Sequence, residues 1–196
     1  MADLITLATY KDAEGLSTPK EDVRISALIP SVSQLVKTYC GNSFVDFYSS
    51  NKTETFNIDW ATHVVQLTES PVNALVSVQE RTSYSGSYTT LTTGAYEYSL
   101  DSTTDSIMRT WSSGGYRNWP QGVDAVKIVY TAGYSAVPAD LELAVIDLIT
   151  YYLKDEHKER RTIQGASIQN QASTSQVNNV GFPDHIKRVL DFYKNF

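Results

Sequence analysis

Cysteine is all but missing from this chain of 196 residues: Cys40 is the only one. That excludes an internal disulfide framework and any zinc or iron–sulfur centre built on several thiolates. No such staple is needed, because a chain of this length buries roughly 70% of the surface it exposes when unfolded. Long apolar runs are absent too, and no stretch approaches the ~20 residues of a membrane helix. The N-terminus, Met1-Ala-Asp-Leu-Ile5, has neither a basic start nor a signal-like core, so the expected location is cytoplasmic. Positive charge is in short supply: 16 Lys+Arg against 22 Asp+Glu leave a net −6 and a pI near 5.0. This argues against a broad, sequence-independent grip on nucleic acid, which relies on clustered cations. It leaves room for a protein that encloses DNA without holding it.

The residues of catalysis are equally sparse. His63, His157 and His185 are scattered, and none has a partner at metal-ligand spacing. Asp155, Glu156 and Glu159 crowd together, but Lys154, Lys158, Arg160 and Arg161 are interleaved with them, the pattern of a solvated helix face. There is no phosphate-binding Walker loop, dinucleotide fingerprint or Gly-x-Ser-x-Gly elbow. Gly114-Gly115 lies between strand-like segments, with no following helix to hold a phosphate. Cys40 closes an apolar helix beside Tyr39 and reads as a buried thiol, not a nucleophile. No catalytic residue, cofactor or metal is therefore expected, which leaves a binding or structural role.

Tyrosine is abundant: 13 Tyr stand beside 6 Phe and 3 Trp. Such an excess suits half-exposed strands and interfaces, where the ring is covered and the hydroxyl stays wet. Tyr84, Tyr88, Tyr96, Tyr98, Trp111, Tyr116 and Trp119 form a possible stacking platform for sugar or single-stranded nucleic acid. Strand propensity explains them more simply. The only basic residues between Tyr84 and Trp119 are Arg109 and Arg117, too few for a nucleic-acid groove.

The order of periodicities predicts an α+β protein. Leu4, Leu7 and Ala8, with Tyr10 nearby, give a short helical face that Gly15 ends. Thr18-Pro19-Lys20-Glu21 has the form of a capping box, and Ile25, Leu28, Ile29, Val32, Leu35, Val36 and Tyr39 follow at helical spacing. Pro30 is expected to kink or divide that helix, and Gly41 to end it. Between Phe44 and Tyr134 the period shortens: segments 52–59, 63–67, 72–78, 95–100, 106–111 and 125–130 read as strands separated by turn signals. Strands this close together predict an antiparallel sheet or small barrel. Pro138 opens a second long helix, apolar around most of its girth and so expected at the centre of the fold.

Residues 162–181 carry no charge and are rich in Gln, Asn, Ser and Thr, the composition of a flexible tether. Beyond it Phe182, Ile186, Val189, Leu190, Tyr193 and Phe196 give a short amphipathic helix. Alone, a helix below about 12–15 residues is marginal, so this one is expected to dock on something. The predicted organisation is a helical body (1–43 with the central helix of 135–161), a β-rich antiparallel insertion (44–134), the tether (162–181) and a C-terminal docking helix (182–196).

Three stretches together resemble a known pattern. They are Leu4-Ile-Thr-Leu-Ala-Thr-Tyr-Lys11 with Leu28-Ile-Pro-Ser-Val-Ser-Gln-Leu-Val-Lys-Thr-Tyr-Cys-Gly41 and Phe44; Leu67-Thr-Glu-Ser-Pro-Val-Asn-Ala-Leu-Val-Ser-Val78; and Val129-Tyr-Thr-Ala-Gly-Tyr134 leading into Val137-Pro-Ala-Asp-Leu-Glu-Leu-Ala144. The chain resembles the head–tail connector (adaptor) family of tailed bacteriophages over most of residues 1–161. Asn42 stands where that family often has Arg, and the long β insertion marks an elaborated member. The resemblance implies a non-enzymatic ring, typically of twelve copies, assembled in the host cytoplasm and docked under the portal at the virion neck. The ring would extend the DNA channel towards a stopper or tail protein, with DNA passing unbound and no membrane involved. Phe182, Ile186, Val189, Leu190, Tyr193 and Phe196 are then expected to bind the portal or a neighbouring subunit. The rival readings are another β-rich neck or tail component, or a monomeric carbohydrate- or peptide-binding module.

Overall fold

A computed structural model describes residues 2–154, 160–163, 166–169 and 182–194. Along the chain run α1 (Leu7–Glu14), α2 (Asp22–Cys40), β1 (Lys52–Ile58), β2 (Val64–Gln66), β3 (Val72–Glu80), β4 (Thr89–Thr90), β5 (Tyr98–Asp101), β6 (Ser106–Arg109), β7 (Gly122–Ala132), α3 (Ala139–Leu153), β8 (Arg160–Ile163), β9 (Ala166–Gln169) and α4 (Asp184–Phe192). The class is α+β, as the periodicities predict. Two compact units form: Met1–Asn42 with Val137–Lys194, and Ser43–Ala136. Among the described residues no helix is long and apolar enough to cross a membrane.

In the helical unit, α2 presents Ile25, Ile29, Val32, Val36 and Cys40 as one buried stripe. Pro30 neither ends nor divides this helix. It lies on the exposed side, so water can satisfy the carbonyl four residues back that loses its backbone donor. The expected capping box does not form: Pro19 to Asp22 make a turn, closed by the Asp22 amide on the Pro19 carbonyl at 3.2 Å. The helix starts at Asp22, whose carboxylate is held by Lys11 at 2.9 Å. In α1, Thr6 caps the N-terminus by accepting from the Thr9 amide at 3.1 Å, and Tyr10 is the buried anchor. Leu4 precedes this helix and Ala8 is exposed, so the expected Leu4–Leu7–Ala8 face is not the one used. Instead the N-terminal segment is pinned to α2. The Leu4 amide donates to Ser33 Oγ at 3.0 Å, and Lys37 Nζ donates to the Ala2 carbonyl at 2.7 Å.

Helix α3 is the apolar centre of this unit, with Leu141, Val145, Leu148 and Ile149 fully buried. It ends at Leu153 and does not run on to residue 161. The charged run 155–159 lies outside the described residues. Arg160–Ile163 instead pairs antiparallel with Ala166–Gln169. That hairpin falls in part on the stretch expected as a tether; Thr162, Ile163 and Ile168 are β-branched, and Gln164-Gly165 between the strands is a turn signal. The rest of the expected tether, 164–165 and 170–181, lies outside the described residues.

The β-rich unit contains two antiparallel sheets, ordered β1-β7-β3-β4 and β2-β6-β5. Its core takes Ile58, Val78, Val126, Ile128 and Tyr130 from the first, Val65 and Ile107 from the second, and Trp119 from a connecting loop. Arg109 on β6, 1% exposed, forms a two-pronged ion pair with Glu80 on β3, both contacts at 2.9 Å. It thereby ties one sheet to the other. Glu69, also buried, accepts from the Ser43 amide at 2.8 Å and its hydroxyl at 2.7 Å, and from Lys52 Nζ at 2.9 Å.

Candidate partner interface

Helix α4 is short, and its sequence supplies a narrow apolar stripe that has to be covered. In this structure the chain's own helices cover it. Phe182, Ile186 and Leu190 are 3%, 1% and 0% exposed. The Phe182 ring meets Tyr39 of α2 edge-on, with centroids 5.0 Å apart, and the Cys40 thiol donates to the Leu190 carbonyl at 3.6 Å. Two tyrosine hydroxyls lock the helix in place. Tyr39 donates to Asp191 at 2.6 Å, and Tyr193 donates to Asp140 of α3, also at 2.6 Å. His185 lies 4.0 Å from Asp147 at the other end of the same seam.

The expected docking residues therefore separate into three groups. Phe182, Ile186 and Leu190 are used inside the chain, against the expectation of a face left open for the portal or a neighbour. The physical reason is proximity: α2 and α3 offer an apolar surface without the entropy loss of recruiting another molecule. Val189 and Tyr193 are half-buried. Phe196 lies outside the described residues. The residue that periodicity passed over is Phe192, which is 86% exposed. It falls off the i, i+3, i+4, i+7 face, and a helical projection marks it as an apolar side chain aimed at solvent. Leu143 on α3 (59%), Val23 on α2 (85%) and Leu16 just after α1 (39%) are the other large apolar residues this unit exposes among the described residues.

Electrostatics in the seam follow from burial. The Tyr39 hydroxyl is pushed up to about 12, first by desolvation and then by its bond to the Asp191 carboxylate. The Cys40 thiol also rises to about 12, mainly by burial, with Asp191 adding and Lys194 opposing. A thiol held protonated in this way is a packing group and not a nucleophile.

The aromatic residues of the β-rich unit do not converge on one platform. Trp119 is a core residue. Tyr84 and Tyr88 flank the Arg81 guanidinium at 4.8 and 4.7 Å. Tyr116 packs on His63 at 4.5 Å. Tyr96, Tyr98 and Trp111 line a cleft of about 420 Å³ together with Ser99, Thr110, Ser112 and Ser113. Of the two cations, Arg109 is taken up by Glu80, and Arg117 stacks over Trp111 at 4.6 Å. What remains outward-facing is a scatter of large side chains (Trp60, Tyr84, Tyr96, Trp111 and Tyr116, 50–69% exposed), a composition typical of protein contact surfaces. His157 lies outside the described residues. Among those described, no group of three His, Cys, Asp or Glu is placed to hold a metal.

Comparison with known proteins adds to this geometry. Residues 3–196 match the model of the family described as head completion protein. The head completion protein of Escherichia phage T5 is 30% identical over 78 residues, which are 39% of this chain and 42% of that protein. The match thus spans less than half of that relative's length. Among solved structures, the neck of an empty gene transfer agent (GTA) particle, computed with C6 symmetry, aligns with a TM-score of 0.60 at 16% identity, over 98% of this chain and 90% of the other. The neck of the native particle, computed with C12 symmetry, aligns at 0.57 and 14% identity, over 100% and 94%. At these identities the structural likeness concerns the fold.

Proposed function

We propose that this chain, which belongs to the head completion protein family, is a structural subunit of a phage neck. Copies of it form a ring under the portal, lengthen the DNA channel and join the head to a stopper or tail protein. The observation that carries this reading is the extent of the family match, residues 3–196, together with a neck-protein fold over 98% of the chain. The C6 and C12 symmetries of the related necks support a ring, and twelve copies is the number the second favours. A net charge of −6 suits a wall past which DNA slides unbound. The protein then resides in the virion at the portal vertex, after assembly in the host cytoplasm, and does no catalysis.

The helical unit and the β-rich unit supply the different surfaces that a closed heterologous ring needs. We assign the portal contact to the C-terminal helix region. Phe182, Ile186 and Leu190 are used internally and Tyr193 bonds Asp140, so the contact is carried by the outward Phe192 beside half-buried Val189, with Phe196 beyond them in the sequence. The cleft at Tyr96 and Trp111 is the one feature that favours a carbohydrate- or peptide-binding module instead. Mixing the purified chain with portal and imaging the product by electron microscopy separates the two. A discrete ring on the portal is expected. A chain that stays monomeric and ignores portal overturns the neck reading.

A further inference from the structure

We propose that strand β1 is a docking edge for the β8–β9 hairpin of a second copy of this chain, so that adjacent subunits share one continuous sheet. Among the described residues β1 is the outer strand of its sheet, paired with β7 on one side only. An outer strand presents unpaired N–H and C=O groups, and proteins usually guard it with outward charges, proline or a bulge. β1 has none of these over Lys52–Phe56, where its register with β7 is regular; the only irregularity comes later, between Phe56 and Ile58. Its outward residues, Thr53, Thr55 and Asn57, are uncharged. Its charges, Lys52 and Glu54, lie on the half-buried face. There Lys52 binds Glu69 and Glu54 at 2.9 Å each, and Glu54 accepts from Thr68. The edge is left as bare as a ligand strand requires.

The occupant is argued from the chain itself. β8 and β9 are two four-residue strands forming a separate sheet, without a third strand among the described residues. A free-standing pair of strands is marginal in water and gains most from joining a larger sheet. A four-residue strand fits within the regular part of β1. An edge and a hairpin are two different surfaces, so each subunit offers one to each neighbour, the head-to-tail contact that closes a ring. Recognition would run through main-chain hydrogen bonds, in the manner of β-strand addition. The proposal rests on the ring reading for the presence of a second copy at a fixed position.

Hydrogen exchange on the full chain, dilute, concentrated and assembled on portal, tests it, with sedimentation run on the same samples. Amides of 52–58 are expected to exchange about tenfold or more slower in the assembled state than in the dilute monomer. A variant carrying Thr162→Pro and Ile168→Pro, which removes donors from both hairpin strands, is expected to keep the helical circular dichroism and lose that protection. A ring in which 52–58 exchanges as in the monomer overturns the edge and leaves the neck reading intact, as does protection that persists in the double variant. Concentration-dependent protection of 52–58 without any ring on portal supports the edge and overturns the neck reading. Neither a ring nor protection overturns both.

Discussion

Gly133 approaches the backbone of Phe44 so closely that a Cβ on it would lie 1.9 Å from the Phe44 carbonyl oxygen. Its φ of +97° is also one that side chains avoid. Hydrogen bonds hold the two segments in that contact. The Gly133 amide donates to Pro71 at 2.8 Å, the Tyr134 amide to Phe44 at 2.7 Å, and Asn73 Nδ2 to the Gly133 carbonyl at 2.9 Å. The Tyr-Thr-Ala-Gly-Tyr stretch is thus a backbone junction, with glycine at the one position where no other residue fits.

Gly133→Ala is expected to destabilise the protein by at least about 3 kcal/mol, because backbone and not a flexible side chain stands in the way. Gly15→Ala is the control. Its φ of +66° is also left-handed, but nothing lies within 4 Å of the added methyl. It should cost only about 1–2 kcal/mol. Denaturant melts of both variants measure the difference, and equal losses would contradict the close approach.

Arg109→Met removes one partner of the buried ion pair and strands the Glu80 carboxylate between the two sheets. A loss of about 3–5 kcal/mol is expected for the single variant. Arg109→Met with Glu80→Leu should recover much of it, since no uncompensated charge remains. A double-mutant cycle in urea gives the coupling, and additive losses would show that the pair does not act as one.

Leu148 and Leu143 lie on opposite sides of the same helix, 0% and 59% exposed. Leu148→Ala is expected to cost about 2–5 kcal/mol by opening a cavity in the core. Leu143→Ala should stay within about 0.5 kcal/mol of the parent stability, as surface changes do. If Leu143→Ala instead weakens binding to portal or to itself, the exposed side of α3 belongs to an interface.

The α4 seam predicts alkaline sensitivity. Tyr39 and Cys40 both have folded-state values raised above their ordinary ones, from 10.0 and 9.0 to about 12. For groups shifted upward, the stabilisation is complete below the unfolded value and is lost as pH climbs to the folded one. The melting temperature should therefore hold up to about pH 9 and fall between 9 and 12. Tyr39→Phe, which cannot ionise, should flatten part of that fall while losing the Asp191 bond at neutral pH. An unchanged alkaline profile in that variant would remove Tyr39 from the account.

Local periodicity made the elements legible. The strand segments 52–59, 72–78, 106–111 and 125–130 match β1, β3, β6 and β7 to within a few residues, because alternation depends on neighbours in sequence. The same holds for the α2 stripe and for the all-round apolar α3. Ends and caps were less legible. Thr18 to Glu21 have the residues of a capping box, but no side chain caps α2 and the helix begins at Asp22, which Lys11 pairs.

Spacing along the chain suffices for the α+β class, the two long helices, the antiparallel strands, and a C-terminal amphipathic helix that has to be covered by something. Each follows from spacing along the chain or from the cost of exposing apolar surface. Long-range packing sets what covers Phe182, Ile186 and Leu190, why residue 133 must be glycine, and that Arg109 serves Glu80. Those outcomes depend on contacts between residues 29 to more than 100 positions apart, which no local pattern encodes. The outward Phe192 and the bare edge of β1 appear only once the inward faces have been used up.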